Sequence, residues 1–341
     1  MAFRKIHNKT AAFFSILGRR QYKPERDFLA EFLPAMFVAG STVVGDIQRE
    51  MTGLAPSPHQ SGTVEYRALH NRITRHLASR RLKARTVLGQ YHTLMAPGLM
   101  RNNGEGVNVA VDETDYGKPF SRPGRPNSME GTSRVRDASV STREKAILVR
   151  GYPGVTIEAT LPNGVQVPII HHLFTREAHP TEERNGVDVP IPDEITGLTA
   201  YKSDHETQMV LLKQAAQLVG HRALWVFDSG YWGTEYLADF QALGIRHVVR
   251  VPVNAKAGAL TVRTEEGVEI SVSDLANLMP LPHVQESADP KGGSPLTIRS
   301  GIVKVFLRDS KRKGAWQTEP RSIIASTFND CTTRFVLFAS E

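Results

Sequence analysis

The hydrophobic period of this chain changes near residue 105. Before that point apolar residues recur at helical spacing: in ERDFLAEFLPAMFVAGSTVVGDIQREM, Phe28, Leu29, Phe32, Leu33, Met36 and Phe37 fall on one stripe. After it they alternate, as in VNVAVD over 107–112. A period near 3.6 and a period of 2 belong to different elements. The chain is therefore expected to be α/β, with a helical region followed by a sheet. Its 341 residues allow two or three domains and a sizeable core. The expected divisions are 1–104, 105–252 and 253–341.

Within the helical region, Pro34 is expected to kink or end the first helix. Gly40-Ser41-Thr42 offers a break and a new N-cap, so residues 25–51 are compatible with a helix-turn-helix. GLAPSPHQSG, over 53–62, reads as a linker. Beyond it, no Asp or Glu occurs from Tyr66 to Gly104, while Arg72, Arg75, Arg80, Arg81, Lys83 and Arg85 do. A solvated surface helix normally carries acid–base pairs three or four residues apart. Their absence points to a phosphate-binding face and to double-stranded DNA as partner. The overall charge of +7 is concentrated here. Residues 1–104 hold 16 Lys and Arg against 6 Asp and Glu, and the remainder holds 26 against 29.

Single Cys331 excludes a disulfide framework and a multi-cysteine zinc site. The N-terminal apolar run is short and broken and lacks a cleavage site, and no stretch approaches the roughly 18 apolar residues of a membrane span. The expectation is a cytoplasmic, nucleoid-associated protein with no membrane partner.

In the second region, VTIEATLP, a PNG turn and VQVPIIHHLF predict a hairpin. Residues 203–219 predict a helix capped by Ser203, with Glu206 completing a capping box. ALWVFD (223–228) and HVVRV (247–251) are strands flanking a helix closed by Gly244. Residues 253–341 read as strand-rich, and 117–143 as a loop. His171 and His172, adjacent on a strand, face opposite sides and cannot easily share an ion, so one is expected in the core and the other in solvent. Trp225 reads as core, Trp232 as packing, and KRKG at 311–314 as a solvated tip.

Two of these strands end in aspartate, at Asp112 and Asp228, 116 residues apart. Strand, hairpin, helix, strand, helix, strand is the plan of an RNase H-like mixed sheet, in which neighbouring central strands bring two carboxylates together. Such a pair repels unless a cation neutralises it. Mg²⁺, a hard ion that leaves room for phosphate oxygens, suits it, and Mn²⁺ can substitute. Asp112 and Asp228 are thus the candidate catalytic and metal-binding residues. Against this stands the commoner use of a strand-end Asp as a turn or cap residue.

VFDSGYWGTEYLADFQALGIRHVVRV resembles the second-aspartate segment of insertion-sequence DDE transposases. There a strand ends in Asp, followed by a small residue, Gly, an aromatic, a helix, Gly and a strand ending in Arg. Asp228, Gly230, Tyr231, Gly244 and Arg250 stand at those positions. VNVAVDETDYGKP resembles the first-aspartate segment, which makes Asp112 the first ligand and Asp115 its alternative. The resemblance spans about 105–341. It implies an RNase H-like core with a β-rich insertion after Arg250, a helical N-terminal domain, Mg²⁺-dependent strand transfer at transposon ends, Arg250 on DNA and a homodimer on DNA. The family's third carboxylate lies on a helix beyond the insertion, in a Tyr-x-x-Arg-x-x-x-Glu-x-x-x-x-x-x-Lys pattern. That pattern is not found here. Glu265, Glu266 and Glu269 fall in the insertion, and Glu341 follows the strand FVLFAS. The expectation is a chain that stops short of that helix. Two rival readings remain: a DNA-binding derivative that does not cut, and another RNase H-like nuclease using Glu113 or Asp115 as an additional carboxylate.

Overall fold

The computed structural model describes residues 8–39, 44–52, 64–79, 81–117, 132–137, 140–142, 145–176, 179, 181–251, 260–287, 295–308, 315–318, 320–328 and 335–340. The described residues form a mixed α/β structure with eight α-helices and one large mixed sheet. The chain divides into two compact units, Met1–Pro97 with Asp193–Gly197, and Gly98–Pro192 with Leu198–Glu341. The break, linker and tip expected at 40–42, 53–62 and 311–314 lie outside the described residues, as do Arg80, Cys331 and Glu341.

The helical unit comprises α1 (Asn8–Leu17), α2 (Lys23–Ala39), α3 (Val44–Thr52), α4 (Val64–Leu77) and α5 (Ala84–Leu99), the last running across the division. Its core joins Phe28, Leu29, Phe32 and Ala35 of α2, Ile47 of α3 and Ile73 of α4. Burying each of the larger side chains contributes about 1.5–3 kcal/mol. Pro34 does not end α2, which continues to Ala39. Phe32 and Ala35 on either side of it are buried, and that packing carries the helix past the lost amide donor.

The sheet unit runs β1 (Asn108–Gly117), β2 (Ser133–Arg136), β3 (Leu148–Thr160), β4 (Gln166–Leu173), the small hairpin β5 (Thr181–Arg184) and β6 (Val187–Pro190), α6 (Asp204–Ala216), β7 (Leu224–Phe227), α7 (Thr234–Ala242) and β8 (Arg246–Arg250). It continues with β9 (Thr261–Thr264), β10 (Glu269–Ser271), α8 (Val272–Leu278), β11 (His283–Ser287), β12 (Leu296–Phe306), β13 (Arg321–Phe328) and β14 (Phe335–Ala339). The sheet order is β10-β9-β12-β13-β14-β8-β7-β1-β3-β2, with β4 on β3 and β11 on β12. β1 is antiparallel to β3 and parallel to β7, and β7 is parallel to β8. The strand-rich segment after residue 253 extends this same sheet through β14 on β8.

Three expectations change. β1 does not stop at Asp112: residues 113–117 stay paired with β3, down to Gly117 opposite Gly151. Residues 133–136, read as loop, form β2 on the same strand. Residues 272–278, read as strand, form α8, begun by the Ser271 hydroxyl accepting the amide of Asp274.

A glycine pair sets the alignment of β1 with β7. Gly104 has φ +77, and its backbone meets that of Gly220 so closely that a Cβ on Gly220 would lie 2.0 Å from the carbonyl carbon of Asn103. Across this contact the amide of Arg222 donates to Asn103 (2.9 Å) and that of Leu224 to Val107 (2.9 Å). From there the register runs Asn108 with Leu224 up to Val111 with Phe227.

Candidate active site

Alternation gives the β1/β7 pair two different faces. Val109, Val111, Trp225 and Phe227 are buried, and α7 covers them through Phe240, stacked on Phe227 at 4.1 Å. On the other face, Asn108, Ala110, Val226 and the two aspartates are exposed. Asp112 and Asp228 both occupy the position just after the last aligned pair, Val111 and Phe227. Adjacent strands lie about 4.8 Å apart, so the two side chains leave neighbouring backbones on the same side. The register thus sets the backbone positions of Asp112 and Asp228 side by side.

The row extends in both directions along the exposed face. Asp112 is opposite Thr156, and Thr156 is opposite His171. His171 Nδ1 lies 3.0 Å from the Thr156 hydroxyl and its Nε2 3.3 Å from the Tyr116 hydroxyl. Beyond Asp228, Arg250 follows Val249, the partner of Phe227, and is exposed beside Leu337 of β14. His172 is buried on the opposite face, as the alternation requires.

Each aspartate has one oxygen engaged locally. Asp112 Oδ2 accepts the Thr114 hydroxyl (3.0 Å), and Asp228 Oδ1 accepts the amide of Gly230 (2.8 Å), capping a short 3₁₀ turn over Ser229–Tyr231. Asp228 is therefore a cap as well, and the two roles coexist because a carboxylate has a second oxygen. Two hard oxygen donors on one accessible face fit Mg²⁺ or Mn²⁺. Among the described residues, no group of three His, Cys, Asp or Glu side chains gathers into an ion-holding set. Asp115, the alternative first ligand, accepts the amide of Arg136 at 2.8 Å through one oxygen and lies an odd number of residues from Asp112 on β1, on the other side of the strand.

Glu113 turns to the covered side. There it accepts the Gln208 side-chain amide, and Gln208 in turn accepts the Tyr236 hydroxyl, tying β1 to α6 and α7. Partial desolvation holds the Glu113 carboxyl above its ordinary range, with Asp204 and Asp228 adding repulsion. Next to it a cavity of about 250 Å³ is lined by Glu113, Asp115, Arg136, Arg176, Asp204 and Gln208. Within it Arg176 pairs with Asp204, which also accepts the Tyr201 hydroxyl at 2.7 Å. Tyr231 is fully buried against Phe227 at 5.2 Å, and burial pushes its hydroxyl far above the ordinary tyrosine range, so it stays neutral. Trp225 is core and Trp232 packs on Phe338 at 5.0 Å. Sequence reading missed Gln208, Tyr236 and Arg176. The only local signal near them was the Ser203 cap, whose hydroxyl accepts the amide of Glu206.

The expected DNA-binding residues separate into groups. Arg72 is tied to Glu31 of α2 (2.8 Å) and Lys83 to Glu194 (3.8 Å). Arg75, Arg81 and Arg85 are exposed and, among the described residues, have no carboxylate partner. No helix among the described residues is long and apolar enough to cross a membrane. No protein-family model matches this chain, and no curated protein matches it.

Proposed function

We propose that this chain is a DDE-type DNA transposase with an RNase H-like core. The observation that carries this reading is the placement of Asp112 and Asp228 at equivalent positions on adjacent parallel strands, on the accessible face. The strand order β4-β3-β1-β7-β8, antiparallel then parallel, supports the core assignment. Asp112 and Asp228 would hold Mg²⁺ or Mn²⁺ through their outward oxygens. Bound there, the metal would activate the attacking oxygen and neutralise charge on the leaving one. The sequential reaction is attack of water on a phosphodiester at the transposon end, then attack of the freed 3′-hydroxyl on target DNA. Arg250, in the same row, would neutralise a neighbouring phosphate, and the packed opposite face keeps the row rigid.

A second reading, a DNA-binding protein that does not cut, is favoured by the count of two acidic side chains at the row, with no third among the described residues. The discriminating experiment incubates the chain with duplexes carrying the DNA that flanks its coding frame, with Mg²⁺ or Mn²⁺. The expected result is metal-dependent nicking that Asp112→Asn and Asp228→Asn each abolish. Binding without nicking in either metal would move the assignment to the second reading. Nicking that survives both substitutions would overturn the site.

A further inference from the structure

On α4, Arg67, His70, Asn71, Thr74 and Arg75, at helical offsets of three and four, form an exposed stripe, flanked by exposed Ala68 and Leu77. Leu69 and Ile73 lie on the other side, Ile73 fully buried in the three-helix core. α4 is also fixed at several points. Arg72 is clamped to Glu31, the His76 ring stacks on Phe28 at 4.6 Å, and Ser79 donates to buried Glu25 at 3.1 Å. The exposed stripe is thus presented by a helix that cannot roll without breaking those contacts.

We infer that this stripe of α4 reads base edges in the major groove of double-stranded DNA. The inference rests on the reading of this chain as a DNA-binding protein and assigns the element that supplies sequence preference. Three helices around one core, with the third presenting its outer face, is a groove-reading arrangement. The side chains have the required chemistry. Arginine donates in pairs to O6 and N7 of guanine, and asparagine pairs with N6 and N7 of adenine. The Thr74 hydroxyl is turned back onto the His70 carbonyl at 2.9 Å, so it offers its methyl group, suited to thymine. Charge complementarity selects the same partner: after Glu65 in its first turn, α4 lies in the run from Tyr66 to Gly104 that holds no Asp or Glu.

The test is selection by the full chain from a pool of duplexes with a randomised centre, at near-physiological salt. Wild type should enrich a motif. Asn71→Ala should bind unselected duplex as wild type does, yet lose preference at one or two adjacent base pairs by roughly ten- to a hundredfold. Arg67→Ala and Arg75→Ala should each relax a different position. A thermal melt matching wild type shows the variants are folded, as expected for exposed positions. No enrichment by wild type, or an unchanged motif with Asn71→Ala, overturns the inference. Metal-dependent nicking without any motif would sink this inference and leave the proposed chemistry standing. A motif lost in Asn71→Ala, without nicking, would do the reverse.

Discussion

The two faces of the β1/β7 pair are built from alternating residues of the same short segments, yet they carry opposite burdens. Val109, Val111, Trp225 and Phe227 are at most 3% exposed, while Val226 between them is 41% exposed. Asp112 continues the exposed face, and its neighbour Glu113 turns to the other. One step along a strand therefore separates a carboxylate on the open face from one that is still partly exposed but tied to Gln208 of α6. Stability should lie on the covered face and chemistry on the open one.

The largest expected effects split along that line. Phe227→Ala removes a ring stacked on Phe240 and should cost about 3–5 kcal/mol in chemical denaturation. Asp228→Asn keeps an oxygen for the Gly230 amide and should stay within about 0.5 kcal/mol of wild type. Its metal-dependent DNA nicking should fall at least about a thousandfold, since members of a catalytic unit are not independent. A denaturation midpoint for Asp228→Asn as low as that of Phe227→Ala would show that the open face is structural after all.

Next in size is the alignment of the two strands. Gly220→Ala places a methyl group where the backbone of Asn103 already stands. The cost should be about 1–3 kcal/mol or more. Nicking should fall even at temperatures where the variant is folded, because the contact sets which residue of β7 lies beside Asp112. A folded variant with wild-type nicking would mean the register does not depend on this glycine pair.

Much of this was legible from sequence, and the gaps have physical reasons. The alternation of VNVAVD and ALWVFD gave the two parallel strands β1 and β7, at whose ends Asp112 and Asp228 stand. The extension of β1 was hidden because DETDYG is polar; its strand geometry comes from pairing with β3, from Glu113 opposite Val155 to Gly117 opposite Gly151, which leaves no local signature. α8 was hidden because its seven residues follow directly on a strand, although Ser271 and Asp274 already formed a cap pair. The Arg72–Glu31 pair was invisible because Glu31 lies on α2, 41 residues upstream. An acid-free run in sequence does not exclude an acid supplied by a neighbouring helix.

That pair gives the next, smaller test, carrying the same division between holding and acting into the helical unit. Arg72→Ala should lower stability by at most about 1 kcal/mol, both partners being partly exposed, and leave the salt dependence of DNA binding unchanged. Arg75→Ala should leave stability unchanged and reduce the log–log salt slope by about 0.9 if it contacts a phosphate, or relax base preference if it reads a base. Equal salt slopes and equal sequence preference for Arg75→Ala and wild type would remove α4 from the DNA interface.

The smallest effect concerns Glu113. Its carboxyl is held above the ordinary value of 4.5, chiefly by partial desolvation. The folded chain therefore binds this proton more tightly than the unfolded chain does. The resulting stability is present in acid, below the ordinary value, and is lost as pH rises through the raised folded value. At neutral pH the charged carboxylate is a cost, which Glu113→Gln removes while keeping an oxygen for Gln208. The variant should be more stable than wild type at neutral pH, by less than about 1 kcal/mol because the residue keeps part of its surface in water, and should lose that advantage in acid. The same variant separates the transposase reading from the rival nuclease. If Glu113 only ties β1 to α6 and α7, nicking by Glu113→Gln should match wild type. If it supplies an additional carboxylate to the site, nicking should collapse as it does for Asp112→Asn, and the functional boundary between the two faces of β1 would have to be redrawn.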